Sequence, residues 1–165
     1  MRRVGNHLAL CVATVVLGAL GIVGCATGSA TSTARTASTA RAGTATGFVG
    51  YHWAVVTITH DGRQTSIPAG DLVYLDFARG GQFGSSDPIN NQNGAYRPTS
   101  DGFVIVGPVG SSAVGYAGSN PVTILAIDAI GAFQPGVPAT TTVSGNRLTV
   151  TVGGYRFNCL RDGTG

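Results

Sequence analysis

Six two-residue turn signals punctuate the chain beyond residue 46: Asp61-Gly62, Gly80-Gly81, Asn93-Gly94, Asp101-Gly102, Gly145-Asn146 and Gly153-Gly154. Gly, and to a lesser degree Asn and Asp, tolerate the positive φ that tight hairpins demand. Between these signals lie short runs rich in Val, Ile, Thr, Tyr and Phe, the composition of strands. Trp53 to Thr59, Leu72 to Phe77, Phe103 to Val106 and Leu148 to Val152 are the clearest. Connections this short cannot carry a parallel crossover, so neighbouring strands are expected to pair antiparallel as a meander.

One segment breaks that period. Asn120 offers a capping side chain ahead of Pro121 at the first helical position, and Val122 to Phe133 runs without Gly or Pro until Gly131. Ile124, Ile127 and Ile130 recur every third residue with Leu125 and Ala129 beside them, which predicts one largely buried helix near Pro121–Phe133 laid against the sheet. The expected fold class is mostly β (α+β): a curved antiparallel sheet or incomplete barrel with a single helix.

The N-terminal region has a different logic. Arg2 and Arg3 precede an uncharged apolar run from Leu8 to Gly24. That run is short for a membrane span and is interrupted by Gly18, Gly21 and Gly24, the profile of a cleaved export signal over residues 1–24. Ile22-Val23-Gly24-Cys25 resembles a bacterial lipobox, which implies cleavage after Gly24 and diacylation of the Cys25 sulfur. Each buried acyl CH₂ adds about 0.8 kcal/mol of membrane affinity, so the expected address is the extracytoplasmic face of the cell membrane, with the membrane as partner through acyl chains. An ordinary secretory signal with an incidental Cys25 is the alternative, and the route, general secretory or twin-arginine, stays open. From Ala26 to Thr46 the chain is almost wholly Ala, Thr, Ser and Gly, a tether (residues 25–46 with the lipidated cysteine) of about 25 Å root-mean-square span if it behaves as a flexible coil.

Charge excludes one class of partner. Lys+Arg number 10 and Asp+Glu 7, yet every base is Arg and every acid Asp. Arg2, Arg3, Arg35 and Arg41 belong to the leader and tether, which leaves six arginines against seven aspartates in residues 47–165. The clustered basic face a nucleic-acid binder needs is not expected. Of 3 cysteines, Cys11 leaves with the signal and Cys25 takes the lipid, so no disulfide is expected in the domain. Cys159 shares a strand face with Tyr155 and Phe157 and reads as a buried small hydrophobe.

The order of motifs from Gly47 to Gly165 resembles the META domain of HslJ-like bacterial proteins. It comprises Trp53, an Asp-Gly turn, Val73-Tyr74-Leu75-Asp76-Phe77, Gly80-Gly81-Gln82-Phe83-Gly84, Asn90 or Asn91, Gly94-Ala95-Tyr96, Asp101-Gly102-Phe103-Val104-Ile105, Gly118-Ser119-Asn120-Pro121 and Gly145-Asn146-Arg147-Leu148-Thr149-Val150. The resemblance implies a small β-rich domain in a lipoprotein setting and no catalytic residues. Family members often carry a Cys beside the central Asn and another before the helix; this chain has neither.

The chemistry on offer is sparse. Beyond the leader, which holds His7, no third His, no Glu and no nearby Cys joins His52, His60 and Asp61 to complete a metal shell, so no metal or cofactor is expected. Ser85, Ser86 and Asp87 with His52 would be the raw material of a hydrolase, without any Gly-x-Ser-x-Gly elbow. The polar stretch Ser85 to Gly94 is the candidate binding loop, with Asp87, Asn90, Asn91 and Asn93 either satisfying turn backbone or binding a glycan or protein. Gly107 to Gly118 is a second flexible candidate. The leading expectation is a non-enzymatic, lipid-anchored envelope protein that binds or scaffolds an envelope component. The alternative is a carrier holding a small apolar ligand in a barrel mouth lined by Phe48, Tyr51, Trp53, Phe83 and Tyr96; an envelope hydrolase is the third reading.

Overall fold

The computed structural model describes residues 46–165; the leader, Gly24, Cys25 and the rest of the tether lie outside the described residues. Nine strands and one helix follow in the order β1 (Tyr51–His60), β2 (Arg63–Ser66), β3 (Tyr74–Phe77), β4 (Gln82–Ser86), β5 (Asn91–Pro98), β6 (Gly102–Ser111), α1 (Pro121–Ile130), β7 (Pro138–Ser144), β8 (Arg147–Val152) and β9 (Tyr155–Gly163). All strand pairings between them are antiparallel. Strands β3 to β9 pair in sequence order as a meander, and β9 returns to pair with β1 along most of its length. The expected curved antiparallel sheet is present, and it closes fully into an eight-stranded barrel, with β2 as an extra strand on β1. Closure removes all but short edges, which is how small antiparallel domains avoid leaving ladders unpaired.

Strand β1 can serve two partners on one edge because it is long. Tyr51 to Ala54 pairs with β3, and Thr57 to His60 pairs with β2. The switch is bridged by Val55 N–H to Val73 O at 2.9 Å and Ile67 N–H to Val56 O at 3.0 Å. A bulge between Val55 and Thr57 re-aims the strand, so the inward set shifts from Trp53 and Val55 to Ile58. The Asp61-Gly62 turn has φ of 49° and 75°, the doubly left-handed conformation for which that dipeptide is suited.

Alternation along the strands fills the barrel with aromatic rings. Phe103 lies within 4.8 to 6.2 Å, centroid to centroid, of Phe48, Phe77, Phe83, Tyr96 and Phe133. Phe133 also reaches Phe157 at 5.3 Å. Phe48 comes from the turn before β1 and is buried against Phe77 at 4.7 Å, its carbonyl accepting from Trp53 Nε1 at 2.9 Å. Cys159 is buried on the inward face beside Phe157, as its alternation predicts, and burial pushes its thiol pKa up, away from a reactive thiolate.

Four local expectations need correction. Asn93-Gly94 is no turn: it lies inside β5, and the chain reverses earlier, at Asp87 to Asn90. Leu72 precedes β3 and is 72% exposed. In α1 the buried residues are Thr123, Ala126, Ala129 and Ile130, while Ile124 is 42% exposed. The helix turns mainly small residues, Thr123, Ala126 and Ala129, to the barrel, with Ile130 the one large side chain among them. Phe133, expected within the helix, follows it and supplies the large side chain to the core.

Candidate functional site

The polar stretch singled out in the sequence is mostly strand. Ser85 and Ser86 end β4, and Asn91, Asn93 and Gly94 belong to β5. Only Asp87-Pro88-Ile89-Asn90 forms the turn, and its side chains are turned inward on its own backbone. Asp87 is buried, and its Oδ1 accepts from Ile89 N–H and Asn90 N–H, both at 2.7 Å. Ser86 Oγ donates to Asp87 O at 2.8 Å and Asn90 O at 3.2 Å. Asn90 fastens a second segment: its Oδ1 accepts from Val114 N–H and Ser112 Oγ, and its Nδ2 donates to Val114 O. Asp87 and Asn90 thus have their polar atoms engaged in holding the turn and the 112–114 strand exit together. Asn91 and Asn93 are exposed on β5, with Asn91 Oδ1 accepting from Tyr74 Oη at 3.1 Å. Gly107 to Ser111, expected as a flexible loop, is the second half of β6.

Asp87→Ala tests this reading of the turn. It would leave the buried Asn90 N–H and the half-buried Ile89 N–H without an acceptor, the buried group alone costing about 1–3 kcal/mol. Thermal unfolding of the full chain should show that loss, whereas Asn93→Ala, on the exposed face, should stay within about 0.5 kcal/mol. Equal stability of the two variants would refute it.

The imidazoles are separated. His52 Nδ1 meets Asp76 Oδ1 at 2.6 Å, a pair created by the β1–β3 register on the barrel exterior, and the ring lies 4.7 Å from Tyr74. Nothing local in the sequence marks that pairing across 24 residues. His60, at the far end of β1, stacks on Tyr155 at 4.2 Å and 15°, with Asp61 Oδ2 3.5 Å from its Nε2. Burial, then the charges of Asp128 and Asp61, raise the Tyr155 pKa. Ser86 Oγ is directed at carbonyls and not at an imidazole. Among the described residues no group of three or more His, Cys, Asp or Glu side chains is placed to hold a metal.

The aromatics proposed to line a barrel mouth have other employment. Phe48, Trp53, Phe83 and Tyr96 are buried in the core; Phe48, Phe83 and Tyr96 pack against Phe77 and Phe103, and Trp53 meets the Tyr51 ring edge-on at 5.9 Å. Tyr51 is half-buried with the Arg161 guanidinium 3.8 Å over its ring.

Concave surface lies outside the barrel. A groove of about 460 Å³ runs between the β1–β2 hairpin, which contributes His60, Arg63 and Thr65, and the first turns of α1, which contribute Pro121, Val122 and Leu125. A second, of about 380 Å³, lies under the β2–β3 connection, between Ile67 and Leu72 on one side and His52 and Tyr74 on the other. Neither was legible in the sequence, because each joins segments dozens of residues apart.

No protein-family model and no curated protein matches the chain. An NMR structure of a protein from Burkholderia xenovorans superposes with a TM-score of 0.54 at 13% sequence identity, covering 70% of this chain and 83% of that one. At that identity the likeness concerns the fold alone. It supports the closed β architecture with one helix.

Proposed function

We propose that the chain is a lipid-anchored cell-envelope lipoprotein whose META-like barrel is a non-enzymatic module that binds or scaffolds an envelope protein or glycan. One observation carries the binding reading: the barrel interior is packed by its own rings, and its concave surfaces lie on the outside. A packed interior leaves recognition to the exterior, which suits a domain that meets a macromolecule. The non-enzymatic part is supported by the engagement of Asp87, Asn90 and Ser86 in the turn and by the separation of the two imidazoles along β1. The anchor is supported by the Ile22-Val23-Gly24-Cys25 motif and the Ala/Thr/Ser tether that follows it.

Metabolic labelling with an alkyne-tagged palmitate checks the anchor. The wild-type chain should carry the label and sediment with membranes; Cys25→Ala should lose the label entirely and accumulate unprocessed or soluble protein. Label or membrane attachment that survives the substitution would refute lipidation at Cys25. Turnover of an envelope substrate that survives purification and disappears in His52→Ala would refute the non-enzymatic reading.

A further inference from the structure

The hairpin that walls the larger groove has one edge without a partner. His60 and Arg63 flank a two-residue turn and form its first register pair, followed by Thr59↔Gln64, Ile58↔Thr65 and Thr57↔Ser66. Antiparallel ladders alternate hydrogen-bonded and non-hydrogen-bonded pairs, so the N–H and C=O of Gln64 and Ser66 point away from β1. The bond from Ile67 N–H to Val56 O keeps the same alternation. Among the described residues no backbone group meets those four outward atoms. Extended backbone is the chemistry that fits such a row.

Side chains on the two walls narrow the occupant. Arg63 and Asp61 both line the groove; Asp61 lies 3.5 Å from His60 Nε2, and Arg63 makes no salt bridge among the described residues. Opposite it, Pro121, Val122 and Leu125 supply an apolar wall. A strand laid along β2 sends alternate side chains into the groove, so residues two apart face the same wall. A second copy of β2 fits poorly, because Arg63, Gln64, Thr65 and Ser66 include no large apolar side chain to cover that wall.

We propose that the open edge of β2 and the groove between β2 and α1 bind an extended peptide segment of a partner protein, which adds as a strand and presents a carboxylate to Arg63 and a large apolar side chain to Val122 and Leu125. The proposal rests on the reading of the barrel as a binding module and names its partner chemistry. Its readout is independent of the lipid anchor, so either can fail alone.

The probe is Thr-Val-Asp-Thr-Leu-Thr-Val-amide carrying fluorescein on its N-terminal amine, titrated with the full-length chain and followed by anisotropy. Saturable binding is expected below about 1 mM. Ser66→Pro, which removes an outward N–H and leaves the β1–β2 ladder its bonds, should weaken it about tenfold or more. Arg63→Glu should weaken the Asp peptide about tenfold and favour the same peptide with Lys in place of Asp. That charge swap stands by itself should Ser66→Pro fold poorly. Slowed amide exchange at Gln64 and Ser66 with peptide present would place the strand on this edge. Absence of saturable binding, binding indifferent to both variants, or self-association of the chain abolished by Ser66→Pro would each overturn the proposal, the last in favour of pairing between copies.

Discussion

Phe103→Ala is expected to destabilise the domain by about 3–5 kcal/mol, the range for truncating a fully buried phenylalanine. Phe103 is fully buried and shares ring contacts with five other aromatics drawn from the N-terminal turn, β3, β4, β5 and the α1–β7 connection. Removing its ring opens a cavity at the centre of a closed barrel, where curvature prevents the walls from collapsing inward. For a domain of this size the loss corresponds to a fall in melting temperature of about 12–20 °C. Calorimetry of the full chain checks it, with Ile124→Ala as the contrast. Ile124 lies on the exposed side of α1 and its truncation should cost under about 0.5 kcal/mol. A shift at Phe103 no larger than that at Ile124 would mean that the barrel is not filled as described.

The second large effect is expected at Gly102. A Cβ there would run into the Ala139 carbonyl oxygen and lie 2.9 Å from Thr141 N and 3.0 Å from Thr140 Cα. All three atoms are backbone, so no flexible side chain can swing aside. The β6–β7 seam has three register pairs, Gly102↔Thr140, Phe103↔Ala139 and Val104↔Pro138, the shortest around the barrel. Gly102→Ala must shift one strand against the other, and overpacking of this kind costs about 1–3 kcal/mol or more. Hydrogen exchange separates a local from a global effect. The Thr141 amide, which donates to Asp101 O at 2.8 Å, should lose protection ahead of amides in the β1–β9 pair. Unchanged protection of Thr141 together with an unchanged melting temperature would show that the seam tolerates a methyl group.

Both predictions depend on how closure is achieved, and closure marks the limit of what local patterns reveal. Five of the six turn signals do separate strands, because Gly and Asn permit backbone angles that tight reversals need wherever they occur. Asn93-Gly94 misleads: both residues pair with β4, and on the β6 side the register shifts between Asn93↔Gly110 and Ala95↔Val106, so the dipeptide serves as an irregularity inside β5 and not as a chain reversal. Helix α1 begins where Asn120 and Pro121 place it, with Asn120 Oδ1 accepting from Val122 N–H at 2.9 Å. Its buried face matches the apolar spacing only in part: Ala129 and Ile130 are buried while Ile124 is exposed, because spacing identifies apolar residues without stating how the helix is rotated against its neighbour.

The candidate site was less legible than the fold. Asp87 and Asn90 lie together at one turn, where their side chains bond nearby backbone. Arg63, Gln64 and Ser66 carried no signal, since an open strand edge is a property of what fails to pair with it. The His52–Asp76 pair depends on register between strands that are distant in the chain.

The amino-acid sequence by itself determined the antiparallel order of short strands, the single capped helix and the burial of Cys159, since each follows from residues within a few positions of one another. Only the tertiary structure decided that β9 returns to β1, that the barrel fills with its own rings, and that β2 has an edge beside α1 that no other strand among the described residues covers. Those features arise from pairings across the whole domain, where the cost of closing long loops is offset by burying many rings together, and no local window of the chain contains that balance.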